Sequence, residues 1–239
     1  MGRFRRDGGT ALNLQEHLNI NLKDSEVIIP VYNEEKRIGE LINRLNKVGI
    51  DKRSILIIND GSTDHTSSVV RNLEIRVIDH PENLGKGEAL KTGFRNTQQE
   101  YLLTMDGDGQ HLPEEIPRFF EKIEDFDIVI GNRQNRKGMP WPRVLSNRTT
   151  SLVLSLLIKQ RILDGQCGFR LLKRTALSGV NLTTSKFDTE SEMIIKLGRR
   201  GRLIGWVPIT TVYHRESSKI NHLLDTIRFI TLAIKSLWR

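Results

Sequence analysis

An α/β domain with a mostly parallel central sheet flanked by helices is the fold class that the sequence predicts, and three apolar runs predict it. Residues 26–32 (EVIIPVY), 54–59 (SILIIN) and 101–105 (YLLTM) are each too short for a helix and rich in β-branched or large aliphatic side chains. Each ends in polar and glycine residues of the kind that turn a chain. Helical periodicity follows the first run, which is the alternation expected of a parallel sheet.

Taken in order, residues 1–22 open basic and glycine-rich without the apolar core of a signal peptide, and are expected to form a mobile tail. The domain itself is expected at 23–220. Its first strand ends at Pro30 and Tyr32, and Asn33 is placed to cap a helix in which Ile38, Leu41, Ile42 and Leu45 recur at helical spacing before Gly49 stops it. The second strand meets Asn59, Asp60 and Gly61, with Ser62, Thr63 or Asp64 as the cap of the next helix. A helix is expected over 88–95, a strand over 128–130, and an irregular basic loop over 132–143, where Gly138, Pro140 and Pro142 oppose helix. Residues 144–159 read as a helix rich in Leu and Val. Residues 221–239 belong to a final amphipathic helix, begun at Ile220, with Leu223, Leu224, Ile227, Ile230, Ile234, Leu237 and Trp238 on one face.

The third apolar run leads into DGDGQH, which sets Asp106, Asp108 and Gln110 at alternate positions just past a strand end. Ligands of open α/β sheets bind at such ends. Oxygen donors without a nearby thiol, on a backbone that Gly107 and Gly109 allow to turn, suit Mg²⁺ or Mn²⁺ better than zinc. The same four residues are also ordinary turn formers, so the motif gains weight only from its neighbours. Glu34 and Asp60 supply acids after the other two runs. An ionised carboxylate there can accept from a ribose or base, or can equally serve a helix N-terminus.

Four further segments join these three: NLGKGEAL at 83–90, GNR at 131–133, GFR at 168–170 and FDTE at 187–190. Together they resemble the family-two inverting glycosyltransferases with the GT-A fold, and more narrowly the dolichyl-phosphate mannose synthase and polyprenyl-phosphate glycosyltransferase branch, over about residues 25–220. The resemblance implies a Rossmann-like sheet and transfer of a hexose, mannose or glucose first, from a GDP- or UDP-sugar to a polyprenyl or dolichyl phosphate. It implies donor contacts at Pro30, Tyr32, Glu34, Asp60, Lys86 and Asp106, and a cationic lid from Arg215 and Lys219. Metal ligands would be Asp106, Asp108 and Gln110, with Mg²⁺ or Mn²⁺ as cofactor. Arg133, Arg143 and Ser146 would hold the acceptor phosphate, and Asp188 and Glu190 would orient the sugar or acceptor. Asp106, Asp108 and Arg133 are thus the expected catalytic set.

Relatives that use a hydroxyl acceptor usually carry an Asp after the Thr-Glu pair as general base, whereas Thr189 and Glu190 are followed here by Ser191. A phosphate acceptor has a second pKa of about 6 and needs positioning more than deprotonation. Transfer to a glycan or glycolipid hydroxyl is the alternative, with Glu192 as a displaced base, and a non-catalytic binder of the same ligands is a third reading.

Composition agrees with an acidic ligand: Lys and Arg exceed Asp and Glu by 37 to 29, for a net charge of +8 with six neutral histidines. Nucleic acid is not the expected partner, because aromatic residues make up only 6% of the chain and acids line the sheet edge. The single Cys167 precludes an internal disulfide and suits a reducing compartment. No apolar run approaches the roughly 20 residues of a membrane span. Peripheral association with the cytoplasmic face of a membrane is therefore expected, with a separate anchoring subunit or a homodimer as further possibilities.

Overall fold

The computed structural model describes residues 22–134, 141–212, 228–229 and 231–233. Seven strands form one sheet in the order β3-β2-β1-β4-β6-β5-β7. They are β1 (Ser25–Val31), β2 (Ile55–Asn59), β3 (Arg76–Asp79), β4 (Tyr101–Thr104), β5 (Ile128–Arg133), β6 (Arg170–Lys173) and β7 (Ile204–Ile209). β6 runs antiparallel to both neighbours, and every other pairing is parallel. β1 and β2 are buried at every position, as expected of strands covered on both faces.

The helices are α1 (Ile38–Lys47), α2 (Thr66–Asn72), α3 (Lys86–Arg95), α4 (Ile116–Ile123), α5 (Trp141–Ile158) and α6 (Asp188–Arg199). α1 buries Ile38, Leu41, Ile42 and Leu45, the expected face, and ends beside Gly49 at φ +92°. Its start differs from expectation. Asn33 adopts φ +54° and its side chain accepts from Thr63 N, so it joins two loops and the helix begins five residues later. The cap position of α2 falls on His65, one residue beyond the three expected, while Asp64 just before it accepts from Thr66 N at 3.0 Å.

The loop expected through residue 143 is shorter than the prolines suggest. α5 begins at Trp141 with Pro142 in its first turn, where a missing N–H forfeits no intrahelical bond. Arg143 therefore lies on a helix rather than in a loop.

The order 3-2-1-4 places the topological switch between β1 and β4. Pro30 opens it. Val31 O accepts from Asp60 N on the β2 side and Ile28 O from Met105 N on the β4 side, so strand alternation turns the Pro30 backbone toward β4. Proline has no N–H for the next rung, and the β1–β4 register ends at Ile28 and Thr104. The two strands part at the point where Asp106 follows.

Candidate active site

Asp60, Glu34 and Asp106 follow the carboxyl ends of three neighbouring strands, β2, β1 and β4. The loops after β1 and β2 fasten each other: Asn33 N donates to Ser62 Oγ, Glu34 N to Thr66 Oγ1, Glu35 N to Asp64 Oδ2, and His65 N to Glu35 Oε2. Glu34 is buried and pairs with Arg37 at 3.1 Å, while Tyr32 is half-buried beside it in sequence.

Asp60 corrects an expectation. Its carboxylate accepts from Leu84 N at 3.0 Å and Gly85 N at 2.8 Å, and His80 Nδ1 lies 2.8 Å from Oδ1. Three of about four lone-pair positions are thus used inside the chain. Its first task is to fold the Leu84–Gly85 turn that starts α3. Gly85 takes φ +102° there, a conformation that costs a side-chain-bearing residue more than glycine.

Lys86 emerges from that turn as the first residue of α3 and its ammonium lies 2.5 Å from Asp106 Oδ1 and 3.0 Å from Glu190 Oε1. Burial disfavours its charge, but the two carboxylates win and raise its pKa well above the usual lysine value. Asp106 responds in reverse: burial pushes it up, and Lys86 and His111 together hold it far below the usual carboxylate range. A side chain at Gly168 would put its Cβ 2.7 Å from Asp106 Oδ1 and 2.8 Å from Lys86 Nζ, so the ion pair needs glycine opposite it. Gly87 is equally constrained, since a Cβ there would lie 1.8 Å from Thr189 Oγ1.

Asp108 sits two residues on, with Oδ1 accepting from Gln110 N at 3.0 Å. Burial first, then the Asp106 charge, raises its pKa. His111 is buried, its Nε2 3.5 Å from Asp106 Oδ2 and its ring centroid 5.2 Å from that of Phe169; its Nδ1 has no hydrogen-bond partner among the described residues. His111 also bridges Thr211, and Val212 N donates to Gln110 O, so the chain leaving β7 is tied to the Asp108–Gln110 turn. Arg215 and Lys219, like His214, lie outside the described residues.

These donors fit a hard divalent cation. They offer carboxylate and carboxamide oxygens, an Asp108 carboxyl whose ionisation is opposed by its neighbour, and an unsatisfied buried imidazole nitrogen. Among the described residues no three His, Cys, Asp or Glu side chains form a closed metal cage. Mg²⁺-type ions ordinarily take only one or two protein carboxylates and complete their shell with phosphate and water.

On the other side of the sheet centre, Arg133 departs from its expected role. It ends β5, is 5% exposed, and donates through Nε and Nη2 to the two oxygens of Asp164, each at 2.7 Å. In this arrangement the guanidinium is spent on a buried bidentate pair rather than presented to a phosphate. Asp164 is held ionised, burial opposing and Arg133 favouring its charge. Ser146 is half-buried on α5.

Sequence reading missed Asp164, which stands three residues before Cys167 in an unremarkable loop. It also left Arg170 without a task. That residue is fully buried and donates to the carbonyls of Cys167, Gly165 and Glu190, joining the Asp164 loop to the start of α6. Cys167 is buried and its thiol is pushed up to about 12, in keeping with a packing role.

Glu192, the expected displaced base of the alternative reading, is engaged within the chain. Its two oxygens accept from the N–H and hydroxyl groups of both Thr183 and Thr184, and Lys196 Nζ lies 2.6 Å away. Against the cost of burial these contacts hold its pKa at about 2. Asp188 is different: burial raises its pKa, Oδ1 has no hydrogen-bond partner among the described residues, and Arg228 contributes an opposing positive field. Arg228 belongs to the helical residues 228–229 and 231–233 within the expected C-terminal helix, where Phe229 and Ala233 are buried.

Known proteins place this geometry. The chain is 31% identical over 215 residues to a UDP-N-acetylglucosamine–dolichyl-phosphate N-acetylglucosaminyltransferase of Methanococcus voltae, covering 78% of this chain and 85% of that one. It is 29% identical over 189 residues to a dolichyl-phosphate hexose transferase of Haloferax volcanii, covering 78% and 82%. Among solved structures, glucosyl-3-phosphoglycerate synthase of Mycobacterium tuberculosis with Mn²⁺, UDP-glucose and phosphoglyceric acid shares the fold at a TM-score of 0.73 and 19% identity, over 98% of this chain and 86% of that one. Residues 26–180 match the model of Glycosyl transferase family 2, and with the switch-point acids in place the chain belongs to that family.

Proposed function

We propose that this protein is an inverting transferase that moves a hexose-class sugar from a GDP- or UDP-sugar to a polyprenyl or dolichyl phosphate at a membrane surface. One observation carries the choice of acceptor: none of residues 190–192, where hydroxyl-using relatives place their base, holds a carboxylate at liberty. Ser191 stands where hydroxyl-using relatives carry an acid, Glu190 is paired with Lys86, and Glu192 is consumed by the Thr183–Thr184 turn. A phosphate brings its own negative charge and needs no base. The dolichyl-phosphate specificity in the names of the relatives above supports the same acceptor.

Asp106, Asp108 and Gln110 are the residues that would hold Mg²⁺ or Mn²⁺, which supplies neutralisation of the departing diphosphate. Lys86 keeps Asp106 ionised and Glu190 oriented, and Pro30, Tyr32, Glu34 and Asp60 shape the donor crevice. Arg143 and Ser146 share the N-terminal half of α5 and are the candidates for the acceptor phosphate, while Arg133 takes that role only on release from Asp164. Arg215 and Lys219 are assigned to the diphosphate as a lid, and Asp188 to the sugar.

The test is a Mg²⁺ or Mn²⁺ dependent assay that crosses GDP-mannose, UDP-glucose and UDP-N-acetylglucosamine with a short polyprenyl phosphate and follows extractable lipid-linked sugar. Lipid product is the expected result. Donor hydrolysis without it would transfer attention to a hydroxyl acceptor, a reading that the buried, unpartnered Asp188 oxygen favours as base.

A further inference from the structure

Glu115 ends the short 3₁₀ turn Pro113–Glu115 and stands at the N-cap position of α4, where a side chain ordinarily accepts from the first amides of its own helix. It makes no such cap. Its two oxygens instead accept from one amide 95 positions away, Thr210 N, at 2.9 and 3.2 Å. Glu115 is buried, 7% exposed, and its cationic neighbour Arg118, at 3.7 Å, is largely in solvent. A buried carboxylate held by one amide and a solvated arginine stabilises little by itself. Its effect is on the course of the segment it grips.

That segment is residues 210–212, and all three of them are tied to the loop between β4 and α4. Thr210 is held by Glu115, Thr211 forms an isolated antiparallel bridge with His111, and Val212 N donates to Gln110 O at 3.1 Å. Gln110 N in turn donates to Asp108 Oδ1 at 3.0 Å. A run of contacts thus leads from Glu115 to two of the residues proposed to hold the cation. The seam has little side-chain hydrogen bonding of its own, since His111 Nδ1 and Thr211 Oγ1 are buried without a partner among the described residues. An anchor at its β7 end therefore decides whether it stays closed.

We propose that Glu115 is a positioning residue for the divalent cation: by holding Thr210 it keeps residues 210–212 against the turn that carries Asp108 and Gln110. This role rests on the metal-dependent reading above and extends it to a residue that touches neither cation nor donor. Contacts one layer behind a metal ligand commonly change affinity by about 10–100-fold.

Mn²⁺ binding to the full chain, with UDP and with GDP, is followed by loss of the free-ion EPR signal. Glu115→Ala should bind about ten-fold or more weakly than wild type. Glu115→Gln, whose amide oxygen can still accept from Thr210 N, should stay close to wild type. Glu114→Ala is the control: it removes a bidentate pair with Arg44 of α1 from the same turn and should leave Mn²⁺ affinity unchanged. In transfer assays the Glu115→Ala variant should need more Mn²⁺ yet recover its turnover at saturation. If that variant does not fold, Glu115→Asp keeps the charge, falls short of Thr210 by one methylene, and carries the same expectation. Equal affinity in wild type and Glu115→Ala would overturn the positioning role alone, as would a glutamine variant as weak as the alanine one. Wild type that binds no Mn²⁺ with either nucleotide would overturn the metal-dependent reading and this role with it.

Discussion

The two ends of the sheet hold their charges in opposite ways. On the β2-β1-β4 side the acids are fixed by many short contacts from main-chain N–H groups and by one lysine: Asp60 by two amides, Asp106 by Lys86. On the β5–α5 side the one described acid near the motif, Asp164, is locked to Arg133, and the chain that follows 133 offers only cations up to residue 163. The first side is a socket whose acids are each held in place from within the chain, as the proposed metal-bearing donor would need. The second is rich in cations along its sequence and, among the described residues, leaves Leu145, Leu152 and Leu156 of α5 exposed. A reaction between a soluble donor and a lipid-borne acceptor calls for that division.

The comparison can be broken from either side. Asp108→Ala should have the largest effect, a loss of about 10²–10³-fold in turnover with folding retained, because it removes a ligand of the cation that would neutralise the departing diphosphate. Circular dichroism and a metal titration would accompany the rate; persisting activity would show that the metal is held elsewhere.

Asp164→Ala should cost about 3–5 kcal/mol of stability by leaving the Arg133 guanidinium buried and unpaired by a carboxylate. Arg133→Met combined with Asp164→Leu should recover much of that loss in a denaturant titration. If the double variant is stable yet cannot transfer to lipid phosphate, Arg133 has an acceptor role beyond its structural pair.

Glu192→Gln should cost about 2 kcal/mol at neutral pH. The sign follows from its lowered pKa. The stabilisation is fully present above the unfolded-state value near 4.5 and is lost as pH falls toward about 2. The variant should therefore show a flatter decline of stability across that window than wild type. An unchanged pH profile would mean that the Thr183–Thr184 turn does not depend on the carboxylate.

His80→Gln should be the mildest change. His80 bridges Asp60 and Thr92 at 2.8 and 3.0 Å, but Asp60 keeps its two amide donors without it. A rise in donor KM with kcat nearly intact would sharpen the view that the β2 side is a binding socket; an equal fall in kcat would draw His80 into the chemistry.

Much of the socket was legible in the sequence because it is local. β1, β2, β4 and the Asp106–Gln110 turn are each a continuous string, and the buried face of α1 repeats at 3.6-residue spacing. The Lys86 contact is a partial success: the motif pointed to the nucleotide, and its Asp106 and Glu190 partners lie 20 and 104 positions away. The pairing of Arg133 was not legible for a related reason. An arginine at the mouth of a basic loop looks exposed, and its partner Asp164 lies 31 positions on, in the loop after α5. Pro142 misled because it argues against helix everywhere except in the first turn. Glu192, two positions from Glu190, falls on another side of α6, and the Thr183–Thr184 turn that absorbs it carries no periodic signal.

Pro30 leaves one more consequence. Since β1 and β4 part because a backbone donor is missing, the crevice between them exists before any ligand arrives, and none of the donor's binding energy is spent on prying the strands apart. The slot's floor is preorganised by main chain alone. Pro30→Val, which restores the missing N–H for the next rung, should narrow the slot while leaving the side-chain contacts of Asp60 and Asp106 in place.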